Sequence, residues 1–125
     1  MDEVVVIGVG NPDRGDDAAG PAGVAALRGR VSPRVRLATT VGSDPATFWS
    51  LWEDAARVVV VDAMVSGRPF GTVTRFDVST DPLPGSVRLV STHAMGAPAA
   101  IELARATGRL PHRISVHGIE GGSFV

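Results

Sequence analysis

The run Val-Val-Val-Ile-Gly-Val at residues 4–9 is short, apolar and rich in β-branched side chains. An apolar run without polar alternation predicts a strand that is buried on both faces, as strands are in parallel sheets. A glycine-rich loop, residues 10–17, follows directly. Residues 58–61 are four consecutive valines that end at Asp62, and they predict a second strand of the same kind.

Helical segments are predicted between these strands. Pro21 suits the first turn of a helix that ends near Gly29, and residues 35–41 predict a further strand. Asp44 can cap a second helix, with Pro45 at its first position. The order strand, helix, strand, helix, strand predicts an α/β fold with parallel neighbours.

The second half of the chain predicts a mixed sheet of five strands. Residues 71–78 follow the valine strand too closely for a parallel crossover, which needs about a dozen residues, so we expect one antiparallel strand. A helix then opens at Gly96 or Pro98. Residues 114–116 predict the fifth strand, and no internal repeat or linker divides the chain.

The composition excludes several kinds of chemistry. The 125 residues, 44% hydrophobic and 20% charged, are ordinary for one globular domain, and the net charge of −1 favours neither nucleic acid nor an anionic membrane. Because the chain has no Cys and all twelve basic residues are Arg, it offers no thiol or lysine nucleophile and no cysteine metal site. We expect a cytoplasmic protein, since no apolar segment is long enough to span a membrane and the N-terminus lacks a signal peptide's basic region.

Two carboxylates and a histidine follow predicted strands at their carboxyl ends. Asp17 lies in the loop after the first strand, Asp62 ends the third, and His93 follows the short apolar run at residues 87–90. Ligands of open α/β sheets bind at this edge, and carboxylates with an imidazole can ligate a divalent transition metal. Each residue also has a structural explanation on its own: a helix cap for Asp17, a contact with loop backbone for Asp62, and a packing role for His93.

Other motifs in the chain do not indicate a different chemistry. Gly8-Val9-Gly10 resembles the start of a dinucleotide-binding loop, but Asp13 stands where that fingerprint requires glycine. The chain has no Gly-x-Ser-x-Gly elbow and no His-Glu-x-x-His helix. His112 and His117 flank the last predicted strand, and we interpret both as structural or surface residues.

Four pieces of the chain, taken in order, resemble one known family. They are Gly8-Val9-Gly10-Asn11 with Gly15-Asp16-Asp17-Ala18-Ala19-Gly20-Pro21, then Val60-Val61-Asp62-Ala63, Ser91-Thr92-His93-Ala94-Met95-Gly96, and residues 116–121, which resemble a turn after the last core strand. Together they are similar to the hydrogenase maturation proteases, the endopeptidases that process the large subunit of nickel-iron hydrogenase.

The resemblance implies a phosphorylase/hydrolase-like fold, a three-layer α/β/α sandwich, and a metal-dependent endopeptidase. It implies that Asp17, Asp62 and His93 contact the metal and carry catalysis. The implied metal is nickel, which the substrate supplies, and no organic cofactor is expected. The implied partner is the hydrogenase large subunit precursor, from which the protease removes a C-terminal extension.

The chain departs from the family at two places. Several relatives carry an Asp-Gly-Gly-Thr-like turn after the second strand, where this chain has Thr40-Val41-Gly42-Ser43-Asp44, so the hydrogenase that is served stays open. Family members also continue into a C-terminal helix, whereas this chain stops at Val125, which predicts a single domain, residues 1–125, truncated at its C-terminus. We expect a monomer that self-associates if truncation leaves an apolar sheet face bare.

Two alternative functions stay open. The first is a non-catalytic module of the same fold that holds metal or precursor without cutting it. The second is an enzyme like peptidyl-tRNA hydrolase, which has a similar Gly-x-Gly-Asn-Pro start. That enzyme would need a Tyr and an Arg-His-Asn run, but the chain has no Tyr and its single Asn is Asn11.

Overall fold

Strands and helices alternate through the first half of the chain, as the sequence predicts. The structure is a computed structural model that describes residues 3–11, 13, 15–41, 44–90 and 96–121, without the side chain of Asp16. Its elements are β1 (Val4–Val9), a 3₁₀ helix (Gly15–Ala18), α1 (Ala19–Leu27), β2 (Val35–Thr40), α2 (Pro45–Trp52), β3 (Arg57–Val65), β4 (Val73–Asp77), β5 (Arg88–Leu89), α3 (Ala97–Ala106) and β6 (Arg113–Glu120). No helix within these ranges has the length and apolarity needed to cross a membrane.

The sheet is mixed, and its main strand order is β2-β1-β3-β6-β4. Strand β1 is parallel to β2 and β3, and β3 is parallel to β6. Strand β4 runs antiparallel to β6, which confirms the prediction made from its short connection to β3. The two-residue β5 is an addition to the five predicted strands, and it pairs antiparallel with the end of β3.

Two strands extend beyond their predicted ends. The prediction that Asp62 ends the third strand is wrong, because β3 continues to Val65. Pairing with β5 and β6 holds this extension, since Met64 pairs with residues of both strands. The prediction of a turn at residues 116–121 is also wrong, because β6 continues to Glu120 alongside β3 and β4.

The helices cover the sheet on both faces. A Cβ on Gly8 of β1 would lie 2.7 Å from the side chain of Val24, so α1 packs directly on the backbone of one face. Ile7 points to the opposite face, where it joins the buried core with Phe48 of α2 and Ile101 of α3. This three-layer arrangement confirms the predicted α/β class.

The predicted helix starts at residues 44 and 96 are confirmed. The Asp44 side chain accepts a hydrogen bond of 2.8 Å from the N–H of Ala46, and Pro45 is the first residue of α2. Gly96 is the N-cap of α3, and Pro98 lies in its first turn. The Asp44 cap follows a local rule, because its side chain supplies the acceptor that a helix N-terminus needs. Proline is tolerated in the first turn of both helices because an N–H there would have no partner within the helix.

Candidate active site at the carboxyl edge of the sheet

The parallel pairing of β1 and β3 places Asp62 beside the loop that follows β1. Asp62 pairs with Val9 on one side and with Gly118 of β6 on the other. Its side chain is completely buried. Because strands pair with it on both sides, the backbone position of Asp62 is fixed by the centre of the sheet.

Asp17 lies in the 3₁₀ helix and folds back onto the start of the same loop. Its Oδ2 accepts a hydrogen bond of 3.3 Å from the N–H of Asn11. The residue is 5% exposed, and its Oδ1 is buried without a hydrogen-bond partner among the described residues. Leaving a buried carboxylate oxygen without a donor costs about 1–3 kcal/mol or more, so this oxygen calls for a partner that the described residues do not supply.

The segment that carries Asp17 packs against the strand that carries Asp62. The 3₁₀ helix contacts β3, and a Cβ on Gly20, at the start of α1, would lie 2.6 Å from the carbonyl oxygen of Val61. The same Cβ would overlap the carbonyl of Val9. The structure therefore brings the two predicted carboxylates, Asp17 and Asp62, to one edge of the sheet.

His93, the third predicted site residue, lies outside the described residues. The last described residue before His93 is Val90, whose N–H donates a 2.8 Å hydrogen bond to the carbonyl of Ala63, the residue after Asp62. The next described residue after His93 is Gly96, the N-cap of α3. Within the described ranges, no group of three or more His, Cys, Asp or Glu side chains is arranged to hold a metal ion.

The other two histidines lie away from this carboxylate pair. His117 pairs with Val61 in the β3–β6 ladder, so strand alternation places its side chain on the face opposite Asp62. Its Nε2 lies 3.3 Å from the Oγ of Ser115. Burial lowers the pKa of His117, and the nearby charge of Arg75 lowers this pKa further. His112 is exposed, and both positions agree with the structural or surface interpretation.

A cavity of about 520 Å³ lies at the opposite edge of the sheet, before the start of β3. Its lining includes Trp49, Trp52 and Arg109, and the Arg109 guanidinium lies 5.4 Å from the centre of the Trp49 ring. Because this cavity contains neither Asp17 nor Asp62, its size does not make it the candidate active site.

Glu120 is a buried carboxylate near the candidate site that the sequence analysis missed. It pairs with Met64 at the end of β3 and accepts hydrogen bonds from the N–H and the hydroxyl of Ser66, at 2.9 and 2.6 Å. The hydroxyl bond is the main cause of a lowered pKa for Glu120, and backbone N–H groups of Ser66, Gly67 and Arg68 add to it. The sequence signal that could have indicated Glu120 is an acidic residue at the end of an apolar strand. Its hydrogen-bond partner could not be inferred, because Ser66 lies 54 residues earlier in the chain.

The family model for hydrogenase maturation proteases, HycI, matches residues 29–123. The chain belongs to the hydrogenase maturation protease family. The matched segment contains Asp62 and His93 and begins after Asp17. No curated protein matches the chain significantly.

Solved structures of maturation proteases share the fold over nearly the whole chain. The maturating endopeptidase HybD from E. coli is 22% identical, with a TM-score of 0.72, and the match covers 98% of this chain and 76% of that one. HybD from Thermococcus kodakarensis is 25% identical, with a TM-score of 0.71 and coverages of 98% and 82%. HycI from the same organism is also 25% identical, with a TM-score of 0.68 and coverages of 98% and 76%.

Proposed function

We propose that this chain is an endopeptidase that removes the C-terminal extension from the nickel-iron hydrogenase large subunit precursor after nickel insertion. Membership of the maturation protease family supports proteolysis and this class of substrate. The single observation that carries the proposal is the buried Oδ1 of Asp17, which lacks a hydrogen-bond donor among the described residues and lies at the edge where β3 presents Asp62.

In this proposal, Asp17, Asp62 and His93 contact the nickel ion that the precursor brings. Carboxylate oxygens and imidazole nitrogens are ligands that divalent transition metals accept. The burial of both carboxylates supports this role, because a cation interacts more strongly with a carboxylate in a site from which water is excluded. The nickel is part of the substrate, so the chain needs neither a resident metal nor an organic cofactor.

Peptide hydrolysis at this edge requires a bound substrate and an activated water. The contact between the two carboxylates and the substrate's nickel positions the scissile carbonyl beside the sheet edge. The water oxygen attacks that carbonyl carbon while a base takes a proton from the water; the peptide C–N bond then breaks, and the same group returns the proton to the departing amine. We assign water activation either to the metal or to one of the two carboxylates acting as general base.

The proposal is tested by incubating the chain with purified large subunit precursor in nickel-loaded and nickel-free forms. Mass spectrometry of the products measures release of a C-terminal peptide, and we expect release from the nickel-loaded precursor alone. Equal cleavage of both forms would contradict the role of nickel. Tight binding of the loaded precursor without cleavage would instead support the non-catalytic module.

A further inference from the structure

A charged groove of about 390 Å³ lies on one face of the sheet, across β3, β6 and β4. Val59 of β3 and Ser115 of β6 line it, and these two residues are partners in the parallel ladder. Because side chains alternate along a strand, this face is opposite to the one on which Asp62 lies. Neither Asp17 nor Asp62 lines the groove, so it is separate from the candidate active site.

Two arginines stand side by side in this groove. Arg57 begins β3, Arg113 begins β6, and the two residues are partners in the ladder, so both side chains leave the same face of adjacent strands. Both residues are exposed. Adjacent strands lie about 4.8 Å apart, and like charges that face each other across them repel. A negative charge would therefore bind favourably between the two arginines.

The nearby carboxylates have other partners. Among the described residues, neither of the two arginines forms an ion pair. Glu3, whose carbonyl accepts the N–H at the start of β3, pairs its carboxylate with Arg36 at 3.2 Å. Asp77, which lines the groove, accepts a 2.9 Å hydrogen bond from the N–H of Ser79. Hydrogen bonds from Ser79 are the main cause of a lowered pKa for Asp77, and the charge of Arg75 lowers this pKa further.

The groove carries two positive charges that the described residues do not offset. It is lined by three arginines and one aspartate, and Arg75 offsets the aspartate, which leaves Arg57 and Arg113. His117 also lines it, and burial, followed by the charge of Arg75, lowers the pKa of this imidazole, so it is mostly neutral at neutral pH. The hydroxyl of Ser115, 3.3 Å from the His117 Nε2, adds a neutral hydrogen-bonding group to the same groove.

A dianionic phosphate group is the ligand chemistry that fits these charges. A guanidinium presents its N–H donors in a planar fork that matches phosphate oxygens in pairs, so two neighbouring arginines can hold one phosphate group. A phosphate monoester carries about two negative charges near neutral pH, which matches the charge of the arginine pair. The volume of about 390 Å³ is within the range of small-molecule sites, so an organic group has room beside Val59.

We propose that Arg57 and Arg113 bind the phosphate group of a small soluble phosphate monoester, whose organic part lies over Val59 in this groove. The site goes beyond the proposed peptidase function and uses none of its residues. Its tests need the free protein alone, without hydrogenase precursor, so failure of either proposal leaves the other standing.

Calorimetric titration of the purified chain with glycerol 2-phosphate, at constant ionic strength, tests the site. We expect one site with a Kd below about 1 mM. Arg57→Gln and Arg113→Gln should each weaken binding at least about tenfold, because each removes a charge-assisted contact. The matched control is Arg30→Gln, which removes an exposed arginine of the α1–β2 connection and should bind like the wild type. No binding by the wild type, or equal weakening in Arg30→Gln, would overturn the proposal.

The aspartate of the groove provides a test of opposite sign. Asp77→Asn keeps an oxygen acceptor for the Ser79 N–H and removes a negative charge from the groove, so it should tighten binding about threefold. Unchanged or weaker binding by Asp77→Asn would contradict the placement of the phosphate in this groove.

The melting temperature without ligand tests the unpaired state of the arginines. Arg57→Gln and Arg113→Gln should melt at or above the wild-type temperature, because each relieves a repulsion and breaks no ion pair among the described residues. A lower melting temperature for either variant would show that the arginine pair is already compensated within the protein, and would overturn the proposal.

Two further probes identify the ligand class. Inorganic phosphate should bind at least about threefold more weakly than glycerol 2-phosphate, because it lacks the organic part. Tetraglutamate should also bind more weakly, because its carboxylates are single charges that are spread along a chain. Equal affinity for inorganic phosphate would contradict the monoester. Tighter binding of tetraglutamate would overturn the small-molecule site in favour of a docking surface for an acidic polypeptide.

Discussion

Gly10 lies directly against Asp17. A Cβ on Gly10 would lie 3.1 Å from the Oδ1 of Asp17 and would overlap its carbonyl oxygen, and the Gly10 φ angle of +145° is one that L side chains rarely adopt. This contact joins the end of β1 to the 3₁₀ helix. The glycine that resembles part of a dinucleotide-binding loop therefore makes room for a carboxylate.

We predict that Gly10→Ala destabilises the protein by about 2 kcal/mol or more, because it adds both a steric overlap and backbone strain. Thermal or urea unfolding measures the change. The control is Gly85→Ala, where a Cβ meets no atom within 4 Å and φ is unrestrictive, and this variant should lie within about 0.5 kcal/mol of the wild type. Equal stabilities for the two variants would refute the close contact with Asp17.

The N-cap of α2 gives a second prediction. Asp44→Ala removes the acceptor for the Ala46 N–H and should lower the free energy of unfolding by about 1 kcal/mol. Asp44→Asn keeps an oxygen acceptor and should retain most of that stability. Urea denaturation of both variants provides the measurement, and an alanine variant as stable as the wild type would show that the cap contributes nothing.

The half-buried His117 predicts a pH dependence of stability. Its pKa in the folded state lies below the ordinary value of 6.5, mainly through burial, so the unfolded chain takes up this proton first as the pH falls. The contribution of this group is fully present above pH 6.5 and is lost as the pH falls from 6.5 towards the folded pKa. Melting temperatures at pH 7.5, 6.5 and 5.5 should decrease accordingly.

Separate substitution of His117 and His112 identifies the source of that decrease. His117→Gln should flatten the pH dependence, while the exposed His112→Gln should keep the wild-type slope. If His117→Gln keeps the slope and His112→Gln removes it, the burial argument for His117 is incorrect.

Strands and helices that are determined by their own residues could be predicted from the sequence. The apolar run of β1 and the Asp44-Pro45 start of α2 appear in the structure at the predicted positions. The continuation of β3 to Val65 could not be predicted, because it depends on pairing with β5 and β6, whose residues come later in the chain. The Asp44 cap depends on a hydrogen bond between neighbouring residues, whereas the end of β3 depends on strands that are distant in sequence.

The candidate site divides in the same way. Asp17 and Asp62 were predictable, because parallel strands place their carboxyl ends at one edge, and both carboxylates are buried there. Their roles in catalysis and the role of His93 remain predictions. Glu120 was missed because it is recognisable only by its hydrogen bonds with Ser66, which lies 54 residues earlier in the sequence, and no sequence motif indicates that contact.

The most direct test of the central claim is cleavage of nickel-loaded large subunit precursor by the wild type and by Asp62→Asn, Asp17→Asn and the surface control Glu53→Gln. Each asparagine keeps the shape of the side chain and removes its charge, so we predict that both buried-site variants lose at least about 100-fold in kcat/KM while folding remains intact by circular dichroism. Glu53→Gln should cleave like the wild type. Normal processing by Asp62→Asn and Asp17→Asn would contradict the account.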